Sequence, residues 1–69
     1  VRRIHLNPLT TLTHREMEVL AAAATGQTTK EIATAQGVTP NTVKFHLRNI
    51  YEKLGVSNRS QAIAIYLKS

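Results

Sequence analysis

Apolar residues recur at the spacing of an α-helix in four stretches of this chain, and no stretch alternates as a β-strand does. The clearest stretch covers residues 40–54. Its apolar positions form one stripe with a period of about 3.6 residues: Val43, Leu47, Ile50, Tyr51 and Leu54. The pattern predicts an all-α fold, a compact four-helix domain containing a helix-turn-helix, with helices at about residues 14–25, 29–36, 40–54 and 58–67.

Two capping motifs predict where the first two helices begin. Thr13 with Glu16, and Thr28 with Glu31, both have the T-x-x-E spacing of a capping box. In that motif the threonine side chain accepts a hydrogen bond from the backbone N–H three residues later, and the glutamate accepts one from the threonine N–H.

The remaining helix starts and the turn have signals of their own. Thr39 before Pro40 is typical of a cap followed by the first helical residue, and Ser57 is the expected cap of the fourth helix. Gly37 supplies the left-handed conformation that a sharp turn between helices two and three needs.

The length of the chain limits its organisation. Its 69 residues have room for one domain with a small core. We assign residues 12–69 to the domain and residues 1–11 to a linker or N-terminal extension, in which Ile4, Leu6 and Leu9 are candidates for packing onto the domain.

The charge of the chain favours anionic partners. Nine Lys and Arg residues against four Glu give a formal net charge of +5, and nucleic acid is the commonest polyanion for such a field. Charge alone is equally compatible with a basic domain of another kind. The absence of cysteine excludes disulfides and fits a cytoplasmic location without establishing it. No apolar run is long enough to span a membrane.

Little in the sequence supports catalysis. There is no Asp, and Glu16 and Glu31 are already explained as caps. The histidines lack a metal-ligand spacing, and the glycines do not form a phosphate-binding loop. We therefore expect no enzyme activity, no cofactor and no metal.

The third helix is the candidate DNA reader. Opposite its apolar stripe lie Asn41, Phe45, Arg48 and Glu52, with Lys44 on their flank. The charged residues alone would be compatible with a merely solvated face. Phe45 argues against that, because an exposed Phe loses favourable burial, whereas in a major groove it can meet a thymine methyl while Lys44 and Arg48 reach guanine or phosphate.

The second helix has a candidate phosphate site at its start. Thr28 and Lys30 lie where free backbone N–H groups and the positive end of the helix dipole favour an anion. Thr28 also has the simpler role of a cap, and both roles are compatible. His46 lies at the edge of the apolar stripe, where it either packs or touches a phosphate.

Three strings in correct order carry a family resemblance: LTHREMEVL at 12–20, TTKEIA at 28–33 and VTPNTVKFHLRNIYEKLGV at 38–56. Over about residues 12–66 the chain resembles the LuxR/NarL/FixJ-type DNA-binding domain of bacterial transcription regulators. The resemblance implies a third helix in the major groove and a dimer paired through the fourth helix. It also implies an upstream receiver or sensor domain, which agrees with a chain that begins at Val1 without an initiator Met.

The resemblance also implies site residues. Base contacts are expected from Lys44, Phe45 and Arg48. Phosphate contacts are expected from Thr28, Lys30, Thr39, Thr42 and His46, and we add Asn41 from the exposed face. Four apolar residues either form a dimer surface or simply close the core of the monomer: Val56, Ala62, Ile63 and Tyr66.

One departure from the family pattern concerns packing. Gln36 stands where leucine is usual, on the inner side of helix two. A buried amide without partners costs about 1–3 kcal/mol, so we expect Gln36 to be turned outward or hydrogen-bonded.

The predicted function is sequence-specific binding of double-stranded DNA by the output domain of a bacterial transcription regulator, such as a response regulator of a two-component system. Its expected partners are double-stranded DNA, a second copy of the chain and RNA polymerase. The alternative is a protein–protein module that docks on polymerase or a regulatory partner, as region four of sigma factors does. A gel shift with random duplex DNA separates the two.

Overall fold

The computed structural model describes residues 8–68, which are helical apart from short connections. A short 3₁₀ helix precedes four α-helices: η1 Pro8–Thr11, α1 His14–Ala24, α2 Thr29–Gln36, α3 Pro40–Leu54 and α4 Arg59–Lys68. No strand occurs in this range. The predicted all-α, four-helix fold is confirmed, and every helix boundary lies within one residue of its expected position.

One core holds the helices together. Helix α1 packs against both α3 and α4, and α2 packs against α3. The buried apolar residues come from η1 and all four helices: Leu9, Val19, Leu20, Ala23, Ile32, Ala33, Val43, Leu47, Ile50 and Ala62. No helix in residues 8–68 is long and apolar enough to cross a membrane.

Both capping boxes form as predicted. The Glu16 N–H donates to Thr13 Oγ1 at 3.1 Å, and the Thr13 N–H donates to Glu16 Oε1 at 2.9 Å. The box at the start of α2 has the same pattern, with 3.1 Å and 2.8 Å for Thr28 and Glu31. Each box gives a hydrogen-bond acceptor to two backbone N–H groups that the start of a helix otherwise leaves unpaired.

The turn between α2 and α3 fixes the angle between these two helices. Gly37 has φ +69°, a left-handed conformation that a side chain disfavours. The Val38 N–H donates back to Ala33 O at 3.0 Å, and Val38 packs half-buried against the core. Thr39 then caps α3 by accepting from the Thr42 N–H at 3.2 Å.

The cap of α4 differs from the expectation. Asn58 Oδ1 accepts from the Gln61 N–H at 2.9 Å, so Asn58 and not Ser57 is the cap. The Ser57 N–H donates to Gln61 Oε1 at 2.8 Å. Serine and asparagine are comparable caps, and the choice falls on Asn58 because α4 begins at Arg59.

The segment before α1 contributes to the core. Leu9 is buried and η1 packs against α3, so the predicted packing of Leu9 is confirmed. The predictions for Ile4 and Leu6 lie outside the described residues. The boundary between linker and domain stays a prediction.

An ion pair joins the start of α1 to the end of α3. Lys53 Nζ lies 2.7 Å from Glu16 Oε1, and the Glu16 side chain is only 5% exposed. Burial by itself raises the pKa of Glu16, but the Lys53 ammonium and the N–H and hydroxyl of Thr13 outweigh it and hold that pKa below its ordinary value of 4.5. The carboxylate therefore acts as a cap and as a link between helices.

The Gln36 side chain forms a hydrogen bond at the surface. Its Oε1 accepts from Arg15 Nη1 at 3.2 Å, and the side chain is half-buried. The expectation of an outward-turned or hydrogen-bonded amide is confirmed, and the contact ties α1 to the end of α2.

Candidate nucleic-acid interface

The outer face of α3 presents the three predicted base-contacting residues. Val43 and Leu47 anchor the back of the helix in the core, at 0% and 6% exposure. Lys44 and Arg48 are exposed, and Phe45 keeps 59% of its surface in solvent. The structure thus brings two cations and one aromatic ring together on a rigid, exposed surface.

Phe45 is held by its neighbour. Its ring meets that of His46 edge to face, with centroids 5.9 Å apart and planes at 61°. His46 itself is half-buried, so it contacts the protein and still offers one side to solvent. This contact limits the positions that the exposed Phe45 ring takes.

The first turn of α3 gathers polar groups beside this face. Thr39 and Asn41 are exposed and Thr42 is half-buried. The hydroxyl oxygens of Thr39 and Thr42 lie 3.0 Å apart, within hydrogen-bonding distance. One of the two hydroxyls therefore keeps a proton for an external acceptor. The turn combines that proton with the positive end of the α3 dipole.

The start of α2 carries the second group of predicted phosphate contacts. Thr28 and Lys30 are both exposed there. The Thr28 N–H is occupied by Glu31, so the donors left for an anion are the Thr28 hydroxyl proton, the Lys30 ammonium and the free N–H groups of the first turn. The Glu31 carboxylate lies within the same turn and weakens this site for anions.

Arg59 supports this site and was not assigned a role from the sequence. Its guanidinium donates to Gln27 O at 2.8 Å and to Thr29 Oγ1 at 3.0 Å, on either side of Thr28. The contact fixes the start of α4 against the start of α2 and adds a positive charge behind it. The signal in the sequence is the position of Arg59 three residues after the string KLGV (53–56), where the family pattern that the chain resembles also has an Arg.

A shallow groove of about 430 Å³ runs along α3 past two of the predicted base-contacting residues, Lys44 and Arg48. It is lined by Lys44, Leu47, Arg48, Tyr51, Glu52 and Val56. The groove therefore joins both cations of the exposed face to a carboxylate farther along the same helix.

Comparison of the sequence with known proteins shows the family to which it belongs. Residues 10–66 match the family model described as bacterial regulatory proteins, luxR family. The chain belongs to the luxR family. The family predicted from the sequence motifs is confirmed.

Relatives of this luxR-family domain are transcription regulators. The chain is 54% identical over 61 residues to the probable transcriptional regulatory protein SgaR of Hyphomicrobium methylovorum, covering 88% of this chain and 29% of that protein. It is 50% identical over 56 residues to the transcriptional activator protein EsaR of Pantoea stewartii, covering 81% and 22%. It is 50% identical over 52 residues to the response regulator protein VraR of Staphylococcus aureus, covering 75% and 25%.

These findings establish the general function of the luxR-family domain. It is a helix-turn-helix domain of DNA-binding transcriptional regulation, and its family is not an enzyme family. The chain spans less than a third of the length of these relatives.

The predicted dimer surface needs one correction. Ala62 is fully buried in the core of the single chain, so its side chain closes the monomer and is not available to a second copy. Val56, Ile63 and Tyr66 pack against the core and remain half-exposed. Leu67, which was not among the predicted residues, is 68% exposed on α4 one turn beyond Ile63.

Proposed function

We propose that this luxR-family domain reads DNA by placing α3 in the major groove, with Lys44, Phe45 and Arg48 at the base edges. The observation that carries the proposal is the exposure of these three side chains on a helix whose opposite face packs into the core through Val43, Leu47 and Ile50. A rigid helix of this kind fits the width of the major groove. Arg48 and Lys44 suit the acceptors of guanine, and Phe45 suits a thymine methyl.

Phosphate contacts from two groups of residues would hold α3 in register. One group, Thr28 and Lys30, lies at the start of α2. The other group lies at the start and edge of α3: Thr39, Asn41, Thr42 and His46. Such contacts fix orientation and carry no sequence information of their own.

A dimer would place two such domains on adjacent half-sites. Exposed or half-exposed apolar residues are available on and just before α4 for an isologous contact: Val56, Ile63, Tyr66 and Leu67. The proposed setting is the cytoplasm, where a receiver or sensor domain upstream of this chain would control pairing, and RNA polymerase is a further candidate partner. The names of EsaR and VraR, an activator and a response regulator, support that setting.

The test is selection of bound sites from a random duplex pool, followed by titration of variants on the selected site and on random duplex. Arg48→Ala is expected to cost about 1–3 kcal/mol on the selected site and to reduce discrimination. Lys30→Ala is expected to weaken binding to both duplexes alike and to lower the salt dependence. Lys68→Ala, in the last turn of α4, is the charge-matched control.

The results of these titrations distinguish DNA reading by α3 from docking on a protein partner. If Arg48→Ala leaves affinity and sequence preference unchanged, α3 is not the reader. If the domain binds no duplex at either low or moderate salt, docking on an acidic protein partner becomes the better account of the basic face.

A further inference from the structure

Glu52 is a carboxylate on an otherwise basic surface. It lies on α3 four residues after Arg48, is exposed, and lines the same groove as Lys44 and Arg48. Residues four apart on a helix are neighbours on its surface. Of the four glutamates in the chain it is the one on α3.

Within residues 8–68 the Glu52 side chain takes part in no helix cap or ion pair, unlike the other three glutamates. Glu16 is a cap and an ion-pair partner, and Glu31 is a cap. Glu52 is instead exposed, on the outer side of α3 and away from the buried stripe. Near DNA its charge would oppose binding, because it repels phosphate.

We infer that Glu52 is a specificity-determining residue that acts on Arg48; the inference rests on the proposed function. An arginine with no matching base turns to the nearest phosphate, which gives affinity for every sequence. Glu52 opposes that turn in two ways: its charge repels the phosphate, and its oxygens attract the guanidinium along the groove.

At a site that has the preferred base, Arg48 stays on that base and Glu52 does not weaken its contact. A guanidinium has five N–H donors, and a bidentate contact to guanine uses two of them. The remaining donors are free to face Glu52, which then holds the planar group in the orientation that the base requires. Glu52 thus weakens binding to random DNA more than binding to the preferred site.

The expected size of the effect of Glu52 on duplex affinity follows from its charge alone. Two unit charges about 7 Å apart in water interact by an energy equivalent to about a threefold change in a binding constant. Glu52→Gln removes the charge and keeps the shape. It is expected to tighten binding to random duplex about threefold at low salt and to lower the ratio of selected-site to random affinity by a similar factor.

The experiment titrates the wild-type chain, Glu52→Gln and Glu18→Gln with labelled selected and random duplexes of equal length, followed by fluorescence anisotropy. Glu18 is exposed on α1, so Glu18→Gln makes the same change in net charge away from the groove. Its affinity ratio is expected to match that of the wild type. Circular dichroism checks that all variants fold.

Introducing Glu52→Gln into an Arg48→Ala background tests the mechanism. If Glu52 acts through Arg48, the change in the affinity ratio disappears there. An unchanged ratio in Glu52→Gln, or an equal change in Glu18→Gln, overturns the inference while the proposed function stands. A wild-type chain that selects no site and does not discriminate between duplexes overturns both.

Discussion

The first turns of α1 and α2 carry the same capping box, but their surroundings differ. In both boxes a threonine and a glutamate three residues later exchange two hydrogen bonds, with lengths that agree within 0.1 Å. Glu16 in the first box is buried and paired with Lys53 of α3. Glu31 in the second is exposed, next to the proposed phosphate contacts Thr28 and Lys30.

The comparison shows how tertiary position changes the meaning of a local motif. The first box is a link in the core, because its carboxylate joins the start of α1 to the end of the proposed reading helix. The second box is a surface cap whose charge bears on anion binding. Mutations that treat the two boxes alike are therefore expected to give different results.

The largest expected difference is in stability. Glu16→Ala removes a cap and leaves Lys53 without its partner, so we expect a loss of about 2–3 kcal/mol in the free energy of unfolding. Glu31→Ala removes only a surface cap, and we expect a loss of about 1 kcal/mol or less. Urea unfolding followed by circular dichroism measures both. Equal losses would show that the ion pair adds nothing to the first box.

Removal of the other partner should have a somewhat smaller effect. Lys53→Met keeps the apolar stem and leaves Glu16 bonded to Thr13, so we expect a loss of about 1–2 kcal/mol. In a Glu16→Gln background the same change should cost much less, because no charge remains to be paired. Lys68→Met in α4 is the control. An undiminished cost in the double variant would contradict the pairing.

Acid should remove part of this stabilisation. The pKa of Glu16 is lower in the folded chain than its ordinary value of 4.5, so the unfolded chain takes up the proton first as the pH falls. The contribution is complete above the ordinary pKa and is lost as the pH falls through the lower, folded value. Unfolding free energies of the wild type and Glu16→Gln, measured from pH 7 to 3, should converge. A constant difference would show that the ionised carboxylate is not what stabilises the link.

The smallest expected difference is in DNA binding. Glu31→Gln keeps the capping geometry and removes a negative charge beside the proposed phosphate contacts, so binding to any duplex should tighten about twofold at low salt. Glu16→Gln should leave duplex affinity unchanged, since that carboxylate is buried against Lys53. Anisotropy titrations compare the two. A larger gain from Glu16→Gln would place the DNA at the start of α1 instead.

Much of the fold and of the candidate site is predictable because its signals are local. Capping boxes, the Thr39–Pro40 start and the turn at Gly37 each involve residues at most five apart, so helix boundaries follow from short strings. The exposure of Lys44, Phe45 and Arg48 follows from one helical period. The exposure of Glu52 follows in the same way, but its shared groove with Arg48 required the surface shape.

Other contacts depend on chain segments that are far apart in sequence. Glu16 and Lys53 are separated by 37 residues, and Arg59 reaches Gln27 and Thr29 over 32 and 30 residues. Periodicity gives no information on which residues meet across such distances. The cap of α4 was misplaced by one residue because Ser57 and Asn58 are both good caps, and only the position of the first turn distinguishes them.

The sequence by itself determined four helices, their starts and stops to within one residue, and a basic outer face on the third, because these depend on backbone hydrogen bonds and on a period of about 3.6 residues. Only the tertiary structure decided that Ala62 is core while Leu67 is surface, since the helix they share is apolar on several sides. It also decided that the Glu16 cap became buried and paired with Lys53, whereas the Glu31 cap stayed exposed to water. Which charges are desolvated depends on which helices pack, and packing is a property of the whole chain.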